Sequence, residues 1–141
     1  MHRKPLRIVL AAATFSLLVL GVFISEPVAS VGETEAQQFE TRCGWLSNPT
    51  PRNVWLDDRD GNWTISVQGG YSLEQEWPWP AFKKGQWIKT NVADYGYGCA
   101  CLQLRVDKET SNVLEIKSAR ARPLSACRKE PALKKIERTF K

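Results

Sequence analysis

The chain has 141 residues, a formal net charge of +5 and one histidine, His2, at its extreme N-terminus. A domain built from the remainder has no imidazole, which excludes Ser-His-Asp and Cys-His catalysis and every histidine-based metal site. The charge is uneven: from Arg120 onward eight Lys and Arg stand against Glu130 and Glu137, so the basicity belongs to the tail.

The first 30 residues have the layout of an export signal. Basic Arg3, Lys4 and Arg7 precede an apolar run from Ile8 to Ile24, followed by Pro27-Val28-Ala29-Ser30. Val28 and Ser30 suit the small-residue cleavage rule, so residues 1–30 are read as a signal peptide removed after Ser30. Left uncleaved, a helix over 8–24 would span roughly 25 Å, just short of a bilayer core of about 30 Å. The rest of the chain is therefore expected outside the cytoplasm, periplasmic or secreted. Its roughly 110 residues suit one core, not two. Residues 31–42, rich in Glu and Gln and without periodicity, predict a flexible lead-in. Residues 43–141 predict a single disulfide-bonded β-rich domain.

Order is expected from Cys43-Gly44-Trp45, followed by an outer loop at Asn48-Pro49-Thr50-Pro51, where two prolines remove backbone donors. Val54-Trp55-Leu56 and Trp63-Thr64-Ile65-Ser66-Val67 read as two strands joined by the Asp57 to Gly61 turn. In the second, Trp63, Ile65 and Val67 share one face. From Tyr71 to Gly85 the chain predicts an aromatic loop centred on Trp77-Pro78-Trp79-Pro80, held extended by its prolines. Trp87 and Ile88 begin a short strand toward Val92.

The segment Tyr95-Gly96-Tyr97-Gly98-Cys99-Ala100-Cys101 then gathers glycines, aromatics and thiols at the entry of the clearest strand. There Ala100, Leu102, Leu104 and Val106 alternate with Cys101, Gln103 and Arg105. A polar turn at 107–112 leads to Val113 to Ser118, expected to return antiparallel with Leu114 and Ile116 on one face. Behind Pro131, Leu133, Ile136 and Phe140 recur at helical spacing. The predicted architecture is mainly β: a small antiparallel barrel or sandwich of five or six strands with a short C-terminal helix. Trp45, Trp55, Trp63 and Trp87 are assigned to its core.

Four cysteines in a small exported domain predict two disulfides among Cys43, Cys99, Cys101 and Cys127. Joining Cys99 to Cys101 is the poorest choice, because residues i and i+2 of a strand stand about 6.5 to 7 Å apart. Cys43–Cys99 with Cys101–Cys127, and Cys43–Cys101 with Cys99–Cys127, both remain open.

Taken together, Cys43-Gly44-Trp45, Asn48-Pro49-Thr50-Pro51, Asp60-Gly61-Asn62-Trp63, Gly69-Gly70, the segment from Tyr95 to Cys101 and Pro123-Leu124-Ser125-Ala126-Cys127-Arg128 resemble a family. The chain is similar, from Arg42 to about Leu133, to the small exported bacterial proteins called domain of unknown function 4087. The resemblance implies an envelope or secreted location and no assigned activity.

Two functional readings follow from the residues. The first is a non-enzymatic envelope protein that binds a protein partner or cell-wall glycan through Trp77, Trp79, Tyr95 and Tyr97, because flat rings on a rigid loop stack on sugars or anchor partners. The second is thiol-disulfide redox, or a thiolate metal site, using Cys99 and Cys101. The acidic run Asp57, Asp58 and Asp60 is accounted for by turn chemistry. No cofactor is implied and no nucleic-acid partner is expected. Membrane contact would arise only through an uncleaved N-terminal segment or the basic tail.

Overall fold

The strand with the cleanest alternation organises the structure. In a computed structural model, which describes residues 38–140, β5 (Gly96–Asp107) is the longest element. The expected signal peptide and residues 31–37 of the lead-in lie outside the described residues. Along β5, Ala100, Leu102, Leu104 and Val106 point into one core, and Tyr97, Cys99 and Cys101 onto the opposite face. That period-two division, buried on both sides, fixes β5 as the central strand.

Three neighbours share its edges. β1 (Glu40–Thr50) runs antiparallel along one edge, from Glu40 opposite Leu104 to Asn48 opposite Gly96. The other edge carries the three-residue β4 (Trp87–Lys89) beside Gly96 to Gly98, and β6 (Asn112–Ala121) beside Ala100 to Asp107. β2 (Asn53–Asp57) pairs with β1 and, through the predicted tight turn, with β3 (Asn62–Ser66). A single parallel pairing, Thr64 with Asn112, joins β3 to β6 and closes the ring β1-β2-β3-β6-β5-β1. The sheet is thus mixed, and of the two predicted alternatives the ring corresponds to the barrel.

The ring encloses Leu46, Leu56, Trp63, Ile65, Leu102, Leu104, Val113 and Ile116. Outside it, on the far face of β1 and β5, Trp45, Tyr97, Cys99, Cys127 and Leu133 form a second cluster. Two short helices cover this cluster, α1 (Leu124–Arg128) and α2 (Pro131–Glu137), the latter ending in a 3₁₀ turn at Arg138–Phe140. Pro131 opens α2 as expected. α1 was not foreseen, since five residues carry no periodicity.

Several local expectations need correcting. β1 starts at Glu40 rather than Cys43, and it continues through Asn48, Pro49 and Thr50, where a loop was expected. Leu114 and Ile116 do not share a face: the β5/β6 register shifts between Arg105 and Val106, so Val113 and Ile116 are buried while Leu114 is exposed. The strand expected from Trp87 to Val92 stops at Lys89. Of the four tryptophans assigned to the core, Trp45 and Trp63 are buried there, whereas Trp55 and Trp87 are only half-buried.

Candidate functional site

The loop from Val67 to Gln86 crosses the seam where β3 and β6 barely meet. It is held by backbone bonds from Leu73 N to Ile65 O, 2.9 Å, and from Val67 N to Tyr71 O, 2.7 Å. Its side chains bind the exposed edge of β6: the Tyr71 hydroxyl donates to Val113 O at 2.7 Å and Gln75 Nε2 to Ile116 O at 3.1 Å. Leu73, Trp77 and Phe82 pack onto the barrel core, and Pro80 is fully buried. The loop is therefore a built lid.

Trp79 is the exception. It is 44% exposed, yet its ring lies 5.2 Å from that of Trp77 and 5.8 Å from that of Trp87. Phe82 in turn lies 4.8 Å from Trp87. Trp87 is fixed by β4 and by its indole N–H, which donates to Asp94 O at 2.9 Å. The glycines of β5 make room for this aromatic row. A Cβ on Gly98 would stand 2.5 Å from the Phe82 ring, 2.7 Å from Gln86 O and 2.9 Å from the Trp87 ring. On Gly96 it would stand 1.9 Å from Ile88 O. These glycines serve close approach, not left-handed backbone.

Beside Trp79 opens a cleft of about 580 Å³, lined also by Phe82, Trp87, three lysines, Lys83, Lys84 and Lys89, and one carboxylate, Asp94. Lys89 pairs with Asp94, whereas Lys83 and Lys84 have no ion-pair partner among the described residues. An exposed indole with ammonium groups around it has the chemistry to stack on a flat or apolar ring face while pairing anionic substituents.

The other aromatics singled out by sequence lie elsewhere. Tyr97 belongs to β5, not to a loop, and is 4% exposed beneath the helices. It meets Trp45 edge-on at 5.4 Å and Phe140 at 4.7 Å, and its hydroxyl donates to Glu137 Oε1 at 3.3 Å. Burial, and then the Glu137 charge, push its pKa above the ordinary tyrosine value. Tyr95 is half-buried in the turn before β5, its carbonyl accepting from Thr90 N at 3.0 Å. So of Trp77, Trp79, Tyr95 and Tyr97 the structure brings only the two tryptophans together. The lysines joining them were missed by sequence reasoning, although Lys83-Lys84 beside Phe82 was a readable signal.

The thiols are engaged in two disulfides, Cys43–Cys101 and Cys99–Cys127, with Cα separations of 4.0 and 5.8 Å. Cys99 and Cys101 are not bonded to each other. Both bonds lie in a second cleft, of about 600 Å³, between the outer face of β1 and β5, the end of β6, and α1. Its acidic wall is already compensated. Arg42 Nη1 donates to Asp58 Oδ2 at 2.6 Å and to Asp60 Oδ2 at 3.1 Å, and its Nε to Glu40 Oε1 at 2.9 Å. The same guanidinium sits 4.1 Å over the Trp63 ring. Burial disfavours the Arg42 charge, but its bonds to Asp58 and Glu40 outweigh that, and its pKa rises above the ordinary value. Asp58 is 4% exposed and also caps the turn, accepting from the backbone N–H of Asp60 at 2.8 Å and of Gly61 at 3.0 Å. This acidic run is thus the turn device that sequence predicted.

A family model described as "Protein of unknown function (DUF4087)" matches residues 37–134. No curated protein and no solved structure gives a significant match.

Proposed function

The chain belongs to the DUF4087 family of proteins of unknown function, and we propose that it is a non-enzymatic binding module of an oxidising compartment outside the cytoplasm, taking an anionic cell-wall glycan at the Trp79 cleft. The compartment is supported by the two disulfides and by the export-signal layout of residues 1–30. Among the described residues no helix is long and apolar enough to cross a membrane.

The observation that carries the binding reading is Trp79 itself: a large ring 44% exposed, held from behind by Trp77 and Trp87, in a cleft lined by three lysines. An exposed indole braced from behind by two other rings offers a flat, pre-ordered face for stacking. A sugar ring stacks on the indole while its carboxylates or phosphates meet Lys83 and Lys84. This chemistry favours a glycan over a protein partner, whose interface would ask for a wider apolar surface.

The test is a fluorescence titration with acidic cell-wall glycan fragments. Saturable quenching that weakens with salt, and is lost in Trp79→Ala, supports the reading. Trp79→Ala is expected to leave stability within about 1 kcal/mol of the parent, whereas Trp77→Ala, which packs on the barrel core, loses about 3 kcal/mol. No response to glycan, with retention of a protein from envelope extract that Trp79→Ala abolishes, would transfer the site to a protein partner.

A further inference from the structure

The two disulfides are not equivalent. Cys99 and Cys127 are 1% and 2% exposed, packed between β5 and the helices at the back of the cleft. Cys43, by contrast, is exposed, and its partner Cys101 is 9% exposed. All four cysteines line the cleft on the outer side of the sheet, and of them only Cys43 is exposed. The register sets a third residue beside them: Cys43 stands opposite Cys101 on β1 and β5, and Cys101 stands opposite Arg120 on β5 and β6. Directly paired residues project to the same face, so Cys43, Cys101 and Arg120 form one row across three strands. Arg120 also lines the cleft, and it has no ion pair among the described residues.

We propose that Cys43–Cys101 is a thiol-disulfide exchange site, opened and closed in the folded protein by a dithiol partner of the Cys-x-x-Cys class, and that Cys99–Cys127 is a structural bond that does not take part. The partner's thiolate attacks Cys43 Sγ, the accessible sulfur. A mixed disulfide forms between the partner and Cys43 as the Cys43–Cys101 bond breaks, and its electron pair leaves on Cys101 Sγ. Arg120 is a positioning residue: its cation stabilises the departing thiolate, and a better-stabilised leaving group leaves faster. The partner's second thiol, losing its proton, then attacks the mixed disulfide and expels Cys43, and the two chain thiolates take up two protons. Two electrons and two protons pass from the partner, which departs as a disulfide.

The fold tolerates the opened form for a topological reason. Cys43 and Cys101 sit inside a continuous ladder that pairs Glu40 to Asn48 with Leu104 to Gly96, so their strands stay joined without the bond. The helices remain tethered by Cys99–Cys127. Reduction therefore yields a folded dithiol lining the cleft.

The experiment exposes the oxidised protein to a limiting thioredoxin-type dithiol protein, quenches in acid, alkylates, and maps the labelled cysteines by mass spectrometry while far-ultraviolet circular dichroism follows the sheet. Cys43 and Cys101 are expected to be labelled at least about tenfold faster than Cys99 and Cys127, with the sheet signal unchanged. In Cys43→Ser, which leaves Cys101 free, the alkylation rate of Cys101 is followed against pH. Adding Arg120→Gln should move that profile to higher pH, and Arg120→Lys should restore most of it. Equal labelling of all four cysteines, earlier labelling of Cys99 and Cys127, or labelling that tracks loss of the sheet signal would overturn the proposal. An unmoved pH profile would overturn the role of Arg120.

Discussion

The indole Nε1 of Trp45 donates a 2.8 Å hydrogen bond to the carbonyl oxygen of Leu133, across 88 residues of chain. It pins the first strand to the last helix inside the second core, where both residues are buried. α2 has seven residues and no side-chain cap bond, too little to hold itself in water, so docking must maintain it. Trp45→Phe keeps most of the apolar contact but leaves the Leu133 carbonyl without this donor. A loss of about 1–3 kcal/mol in urea unfolding is expected, with weakened near-ultraviolet dichroism from the helix interface. An unchanged midpoint would mean that α2 docks on packing alone.

Arg42 answers three carboxylates, one of them the nearly buried Asp58. Replacing it with Met preserves the contact with Trp63 but strands the Asp58 charge. The expected cost is about 3–5 kcal/mol, measured by denaturant unfolding, because an uncompensated buried charge is worse than an absent pair. Arg42→Lys should recover only part of this, since an ammonium cannot reproduce the planar fork that meets several carboxylates while lying on an indole. In the double variant Arg42→Met with Asp58→Asn the loss should shrink.

Two groups give the stability a pH dependence of stated sign. Burial first, and then the Asp58 charge, raise the pKa of Asp57 despite the bond that Asn62 Nδ2 donates to it at 2.7 Å. The folded state therefore holds the Asp57 proton more tightly than the unfolded chain does. This contribution is fully present below the ordinary carboxylate range and is lost as pH rises through the folded value. Asp57→Asn, whose side-chain oxygen still accepts from Asn62, should raise the melting temperature at neutral pH and have little effect near pH 3. Tyr97 repeats the logic at the alkaline end: its pKa is raised, so stability falls as pH climbs past about 10, where the unfolded chain ionises first. Tyr97→Phe should flatten that limb of a thermal pH series.

Local patterns carried much of this structure. The alternation in β5 and the Asp and Gly turn between β2 and β3 are properties of neighbouring residues, and periodicity exposes them. What required the partner strand was hidden. The displacement of Leu114 depends on a register shift opposite Arg105, which the sequence of β6 does not mark. Cys99 and Cys101 were legible as residues of one face, but which of them meets Cys43 depends on how β1 slides along β5. Tyr97 looked like a loop residue because glycines flank it. Those glycines mark where β4 and the aromatic lid press against the backbone of a strand.

The candidate site followed the same division. Trp77 and Trp79 were conspicuous in sequence, and their separation into a supporting ring and an exposed one is a tertiary fact. Lys89 joins them only because β4 folds back along β5, bringing its side chain to the cleft of Lys83 and Lys84.

The crossing of the two disulfides constrains how the chain is made. In order of synthesis the cysteines appear as Cys43, Cys99, Cys101 and Cys127, and the native bonds are interlaced, each enclosing one end of the other. An oxidant that joins cysteines as they emerge would link Cys43 to Cys99, the first partner available. In the finished ladder Cys99 lies opposite Trp45, and only Cys101 lies opposite Cys43. Strand register, rather than order of appearance, thus selects the native bond. A chain oxidised before β1 meets β5 is committed to reshuffling over seconds to hours before the native pair can form.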